Sequence, residues 1–267
     1  MKIAAFLLNC PNLLMTRTTF LMLPQAIVHD YWTQAGILPS PNSPLTRLDR
    51  QGQVWLAETR GGVMETFDAV VSTLPVPQLL GTLPRPEGAI GGNFLELLER
   101  DSEMWSNLQG VRFNSVFCLG VFFDSNITDT LGINWKAKYF PHDPVIRYVA
   151  IDNAKRGFPN DPTVLTVQSQ VSFGQDNLGQ TKQEMEGAML EALQRLLPSL
   201  PTPSSLHPHK WRYSQTSSPF PGSPGAALLH ATPPLLGAGD SFSHSNFDGC
   251  LASAQAARDL LRDILQV

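Results

Sequence analysis

"LLGAGDSFSHSNFDGCLASAQAARDLL", residues 235–261, is the stretch on which the reading of this chain turns. A short apolar run enters a glycine turn, an aspartate follows, and the remainder has helical spacing. Leu251, Ala254, Ala257, Leu261 and Ile264 recur at intervals of three and four. The turn holds Gly237 and Gly239, but Phe242 stands where a dinucleotide fingerprint needs its third glycine. The unpaired N–H groups of a helix's first turn favour negative charge. Reduced flavin is negative near its pyrimidine edge, and its ribityl chain offers hydroxyls that the Asp240 carboxylate accepts from. A flavin is therefore a chemically reasonable guest. The competing reading is a plain strand–turn–helix in which Asp240 and Asp248 act as local caps.

Outward from this stretch, the pattern predicts a helix over 23–36, a hairpin over 44–59 turning near Gly52, and a buried strand over 67–75. A helix is expected over 93–108, strands over 114–124, 144–153 and 163–173, and an amphipathic helix over 180–200. The 22 prolines cluster at 39–44, 75–86 and 198–234, which read as loops. Asp152 and Asn153 read as turn formers. The order fits a mixed α/β (α+β) architecture with a separate antiparallel sheet.

The bulk numbers exclude more than they assign. The chain has 267 residues, 42% of them apolar, with a formal net charge of −4. That size supports a sizeable core, and the charge argues against nucleic acid as a partner. Three separated cysteines, Cys10, Cys118 and Cys250, make no disulfide framework, and no cluster has metal-ligand spacing. The apolar start is broken by Asn9, Pro11 and Asn12, too early for a membrane span. A cytoplasmic setting is expected, with secretion the alternative. Neither a P-loop nor a GxSxG elbow occurs, and no catalytic acid–base group is assigned.

The stretch 237–254 closely resembles the C-terminal flavin motif of the renalase family, within the flavin amine-oxidase-like group. "FDAVVSTLPVPQLL", "PVIRYVAIDNAKRG" and "HKWRYSQ" are similar to further segments of that family, in the same order. The resemblance runs from about residue 19 to the end. It implies FAD as cofactor, held by Gly237, Gly239 and Asp240 against the ribityl and pyrophosphate. Asn246, Phe247, Asp248 and Gly249 would lie under the pyrimidine edge, and Thr73 and Pro75 would close a cofactor-domain strand. It implies a substrate region with Trp211, Tyr213 and Arg147, although a core aromatic and a structural cation are alternative roles for Trp211 and Arg147.

The implied reaction oxidises isomeric dihydronicotinamide dinucleotides to NAD(P)+ with O2 reduced to hydrogen peroxide. A non-catalytic binding module and a conventional amine oxidase, with Trp211 and Tyr213 as its aromatic cage, are the alternatives. The expected domains are an incomplete FAD-binding Rossmann-like region over 1–80, an antiparallel substrate domain over 81–205, and a return to the cofactor domain over 206–267. Residues 1–18 contain no glycine, so the family's strand–GxGxxG–helix opening has no counterpart here. Relative to the family, an N-terminally truncated pattern is expected, with weakened FAD affinity and exposed sheet edges.

Overall fold

A computed structural model describes residues 3–6, 43–81 and 90–266. The helix expected over 23–36 lies outside the described residues. Two compact units are present: Met1–Arg112 with Gln215–Val267, and Phe113–Ser214.

The first unit opens with β1 (Ile3–Phe6), followed by the hairpin strands β2 (Leu45–Gln51) and β3 (Val54–Thr59), then β4 (Met64–Phe67) and β5 (Ala69–Ser72). Three short helices come next: α1 (Val76–Leu80), α2 (Phe94–Glu99) and α3 (Ser102–Gln109). The second unit runs through β6 (Arg112–Phe122), α4 (Thr128–Leu131), β7 (Ala137–Tyr139), β8 (Ile146–Ile151) and α5 (Asp152–Lys155). It continues with β9 (Val164–Ser169), α6 (Val171–Asp176), α7 (Lys182–Leu196) and most of β10 (Ser205–Ser218). The chain then returns to the first unit as β11 (Ala226–His230), β12 (Leu235–Ala238) and α8 (Phe247–Leu265).

In the first unit the main sheet has the order β1-β5-β12-β11. Strands β1, β5 and β12 are parallel and β11 is antiparallel to β12. Strand β5 is buried along its whole length, which is why it reads as a continuous apolar run and not as an alternation. One expectation is corrected here. The edge of β5 is not bare, because Ile3 to Phe6 pair along it in register with Ala69 to Ser72. A β-capable apolar segment satisfies backbone groups that would otherwise stay unpaired.

The meander β2-β3-β4 turns at Gly52 (φ +62°), as expected. Its fully buried Trp55 donates from Nε1 to the Pro234 carbonyl (3.0 Å) and meets His230 edge-on at 5.5 Å. The single helix expected over 93–108 is broken in two. Asp101 accepts from the Met104 amide (2.9 Å) and so caps a new helix instead of continuing the old one.

The second unit is a five-stranded antiparallel sheet, β10-β6-β9-β8-β7. One face packs on α7 through Phe117, Leu119, Val121, Val149, Leu165, Val167, Met189 and Leu193. Helix α7 begins with a capping box between Thr181 and Glu184. The strand expected to run to Phe173 ends at Ser169. There Gln170 turns its amide onto the Phe140 and Asp143 carbonyls (both 2.9 Å), and α6 starts. Asn153 does hold a turn: its amide donates to the Phe158 and Asp161 carbonyls (3.3 and 3.2 Å), and its oxygen accepts from the Val164 amide (3.2 Å). Asp152 is ion-paired with Arg156 across one turn. Part of the proline-rich 198–234 region is strand and not loop. Strand β10 contains Pro208, which an edge strand tolerates because one side of its backbone needs no partner.

Candidate functional site

Strand β12 carries the glycine turn to the carboxyl edge of the parallel strands, with Gly237 level with Ser72 of β5. Ligands of open α/β sheets lie beyond that edge. The two glycines differ in kind. A Cβ at Gly237 would lie 2.4 Å from the Phe242 ring, so this glycine makes room for an aromatic from its own turn. Phe242 is buried and lies against Phe220 at 5.3 Å. Gly239 has φ +103°, which disfavours a side chain, and a Cβ there would approach nothing closer than Thr73, at 3.7 Å. Among the described residues, nothing else crowds the outer face of that turn.

A serine network holds the turn. Ser253 is buried in α8; its Oγ accepts from the Gly239 amide (2.6 Å) and donates to the Gly225 carbonyl (2.5 Å). Ser245 Oγ accepts from the Thr216 amide (2.7 Å) and donates to Asp240 Oδ2 (2.5 Å). Ser243 Oγ donates to the Gly249 carbonyl (2.8 Å). These serines escaped the sequence reading. The available signal was Ser253, a polar residue at i+4 from Gly249 on a face otherwise made of alanine and leucine. Ser253→Ala takes the acceptor from the part-buried Gly239 amide and the donor from the Gly225 carbonyl. It is expected to cost about 2 kcal/mol, seen as a lower denaturation midpoint of the first unit.

Neither aspartate is the cap of α8. Asn246 is: its Oδ1 accepts from the Gly249 amide (2.7 Å). Asp248 stands exposed in the first turn, where the helix dipole favours a negative charge. Gly249 is buried against the His244 carbonyl, 2.2 Å from where a Cβ would sit. Of the expected apolar stripe of this helix, Ala257, Leu261 and Ile264 do pack on the sheet, and only its first two members are corrected. Leu251 and Ala254 are exposed, and the packed face is Ser253, Ala256, Ala257, Leu260, Leu261 and Ile264 against Val71, Leu236 and Ala238. Small residues at 249, 253 and 257 let the helix approach the sheet closely. That leaves Phe247 (81% exposed) and Leu251 (51%) as apolar side chains around the turn, beside Cys250. Burial, and then the nearby Asp240 charge, hold the Cys250 thiol above its ordinary pKa.

Thr73 and Pro75 follow β5 at the same edge, Pro75 just before α1. Thus Thr73, Pro75, Gly237, Gly239, Asp240, Asn246 and Gly249 belong to one edge of the first unit. Two observations fit a polar guest there. The Ser72 and Thr216 hydroxyls are buried without a partner. The Phe247 and Asp248 amides, in the first turn of α8, have no acceptor within their own helix.

Trp211, Tyr213 and Arg147 lie in the second unit and are not side by side. Trp211 and Tyr213 are on β10 and Arg147 on β8, with β6 and β9 between, about 14 Å across. Trp211 meets His209 edge-on (6.1 Å), and Tyr213 meets Phe113 (5.3 Å). Burial raises the Tyr213 phenol. The Arg147 guanidinium sits 6.0 Å from the Tyr139 ring. Burial, then the charge of Lys182, push His209 below its ordinary 6.5. A depressed folded pKa adds stability above pH 6.5 that is lost as the pH falls through the folded value. The urea midpoint of the second unit should fall between pH 7.5 and about 5.5, and His209→Gln should flatten that fall.

Comparison with known proteins places these features among relatives. The family described as flavin-containing amine oxidoreductase matches residues 12–261. Mouse (Mus musculus) renalase is 32% identical over 241 residues, covering 89% of this chain and 66% of that protein. A putative protoporphyrinogen oxidase from Exiguobacterium sp. superposes with a TM-score of 0.55 at 16% identity, over 85% of this chain and 48% of that one. Cyclohexylamine oxidase from Brevibacterium oxydans gives 0.55 at 15% identity, over 88% and 52%. The chain thus spans 66% of the length of that renalase and about half the length of those solved structures.

Proposed function

Because this chain belongs to the flavin-containing amine oxidoreductase family, we propose that it is an FAD-dependent oxidase of isomeric dihydronicotinamide dinucleotides, returning them to NAD(P)+. The observation that carries this reading is the renalase similarity across 89% of the chain, together with the family match over residues 12–261, which includes the turn built from Gly239 to Gly249. The family's cofactor is FAD, and the residues present suit it: a glycine turn uncrowded among the described residues, a helix N-terminus and buried hydroxyls without partners. Thr73, Gly239 and Asp240 would hold the ribityl and pyrophosphate portion. Residues 246–249 would face the pyrimidine edge, whose negative charge the first turn of α8 offsets.

Bound FAD supplies the two-electron redox chemistry. In balance, the dihydronicotinamide gives up a hydride equivalent, and dioxygen takes the electron pair and two protons, one of them from solvent, to become hydrogen peroxide. No proton need be taken from the substrate carbon by a side chain, which accords with the lack of an assignable acid–base pair. The protein's contribution is to hold a flat substrate in place and keep water away. We place the activity in the cytoplasm, where free thiols such as Cys118 and Cys250 persist.

The test is to load the purified protein with FAD, mix it anaerobically with isomeric dihydronicotinamides, and then admit air. Loss and return of flavin absorbance, with one peroxide per substrate, is the expected result. Turnover of simple amines alone would assign a conventional amine oxidase. Protein that stays colourless with added FAD yet binds a dinucleotide would assign a binding module.

A further inference from the structure

Asp240 closes the glycine turn with a part-buried carboxylate. Among the described residues no cation pairs with it, and its side chain has one hydrogen-bond partner, Ser245. A carboxylate drawn out of water without a cation calls for donors.

The bond to Ser245 has a fixed direction. A serine hydroxyl has one proton and two acceptor lone pairs. Ser245 Oγ accepts from the Thr216 amide (2.7 Å), and an ionised carboxylate only accepts, so the serine proton lies toward Asp240 Oδ2 (2.5 Å). A relay therefore runs from a backbone N–H near the end of β10, through a hydroxyl, to one oxygen of the carboxylate. Bonds in such a chain polarise one another, and those that end on a charge are the strong ones.

A serine that bridges two loop groups can be mere loop structure. Two observations make this one more. Ser245 claims only Oδ2, which leaves Oδ1 as an acceptor with no partner among the described residues. The Thr216 hydroxyl, on the residue whose amide starts the relay, is itself buried without a partner. Unspent hydrogen-bonding capacity thus gathers on both ends of one relay, beside the open side of Gly239.

We propose that Ser245 is a positioning residue of this turn: by fixing Oδ2 it holds the Asp240 carboxylate so that Oδ1 accepts from a hydroxyl of the guest. The group this suits is a donor, the polyol segment of FAD. It does not suit a phosphate, which accepts and carries the same sign of charge. The Gly239 amide offers a phosphate nothing either, since Ser253 already accepts from it. This rests on the FAD reading above, and it gives a role to Ser245, which the resemblance leaves without one.

The test is fluorescence titration of the purified, flavin-free chain with FAD, without substrate. Ser245→Ala is expected to raise Kd about 5-fold, and Ser245→Thr, which keeps the hydroxyl, to stay within about 2-fold of wild type. Asp240→Ala is expected to raise Kd about 10-fold. Adding Ser245→Ala to Asp240→Ala should then change Kd less than about 2-fold, because the serine has lost the group through which it acts. A serine that merely stiffens the loop would weaken binding by the same factor in both backgrounds. That result overturns the inference, as does a Ser245→Ala protein that binds FAD as wild type does, and both leave the proposed oxidase intact. Wild type that takes up no FAD removes the flavin reading itself, and this inference with it.

Discussion

Gly249→Ala is expected to lower flavin retention at least 10-fold, a loss of about 1.4 kcal/mol or more in cofactor binding. The added methyl would sit 2.2 Å from the His244 carbonyl oxygen and 2.9 Å from His244 Cβ. The nearest of these is backbone, so it cannot swing aside as a flexible side chain would. The first turn of α8 or the 243–246 loop must move. Both hold the site: Asn246 caps the helix through the Gly249 amide, Ser243 bonds the Gly249 carbonyl, and Ser245 bonds Asp240. Absorbance of the purified variant, and its titration with FAD, read the effect. An alanine variant that keeps its flavin with a wild-type affinity would show that this turn does not hold the cofactor.

Gly92→Ala should be the more severe change for stability, at about 3 kcal/mol. Gly92 has φ +123°, and a Cβ there would lie 2.0 Å from the Leu48 carbonyl oxygen. The glycine sits in a clamp that fastens the segment before α2 to the hairpin. The Gly91 carbonyl accepts from the Leu48 amide (2.9 Å), the Asn93 amide donates to Asp49 (2.8 Å), and Asn93 Oδ1 accepts from the Arg50 amide (2.7 Å). Strain and lost bonds therefore act together. Gly187→Ala is the opposite control: it lies inside α7, nothing stands within 4 Å of its Cβ position, and alanine there should gain up to about 1 kcal/mol. Denaturant midpoints of the two variants moving in the same direction would contradict this account.

Where the sequence was legible, the signal was local. The turn at Gly52 and the buried run of β5 follow from residues within a few positions of each other. So does α7, with Thr181 and Glu184 at its start. The strand–turn–helix at residues 235–265 is of the same kind, and it placed Gly239, Asp240 and Gly249 at one turn. Its details were not legible. Phe242 folds back into the space beside Gly237, and Asn246 takes the cap in competition with two aspartates. Ser253 is a partner for Gly239 fourteen positions away. Each depends on which of several chemically similar groups arrives first in three dimensions.

By itself, the sequence determined the class of the fold, the positions of the main strands and helices, and the family to which the chain belongs. Periodicity and turn chemistry are short-range properties, and a linear order of motifs survives without any knowledge of contacts. Only the tertiary structure decided that Ile3 to Phe6 would pair along β5 and that a proline-bearing segment would form the edge strand β10. It also decided that Ser245 would come to rest between Thr216 and Asp240. Those outcomes turn on which backbone edge and which side-chain neighbour meet across tens of residues, and no local pattern encodes that meeting.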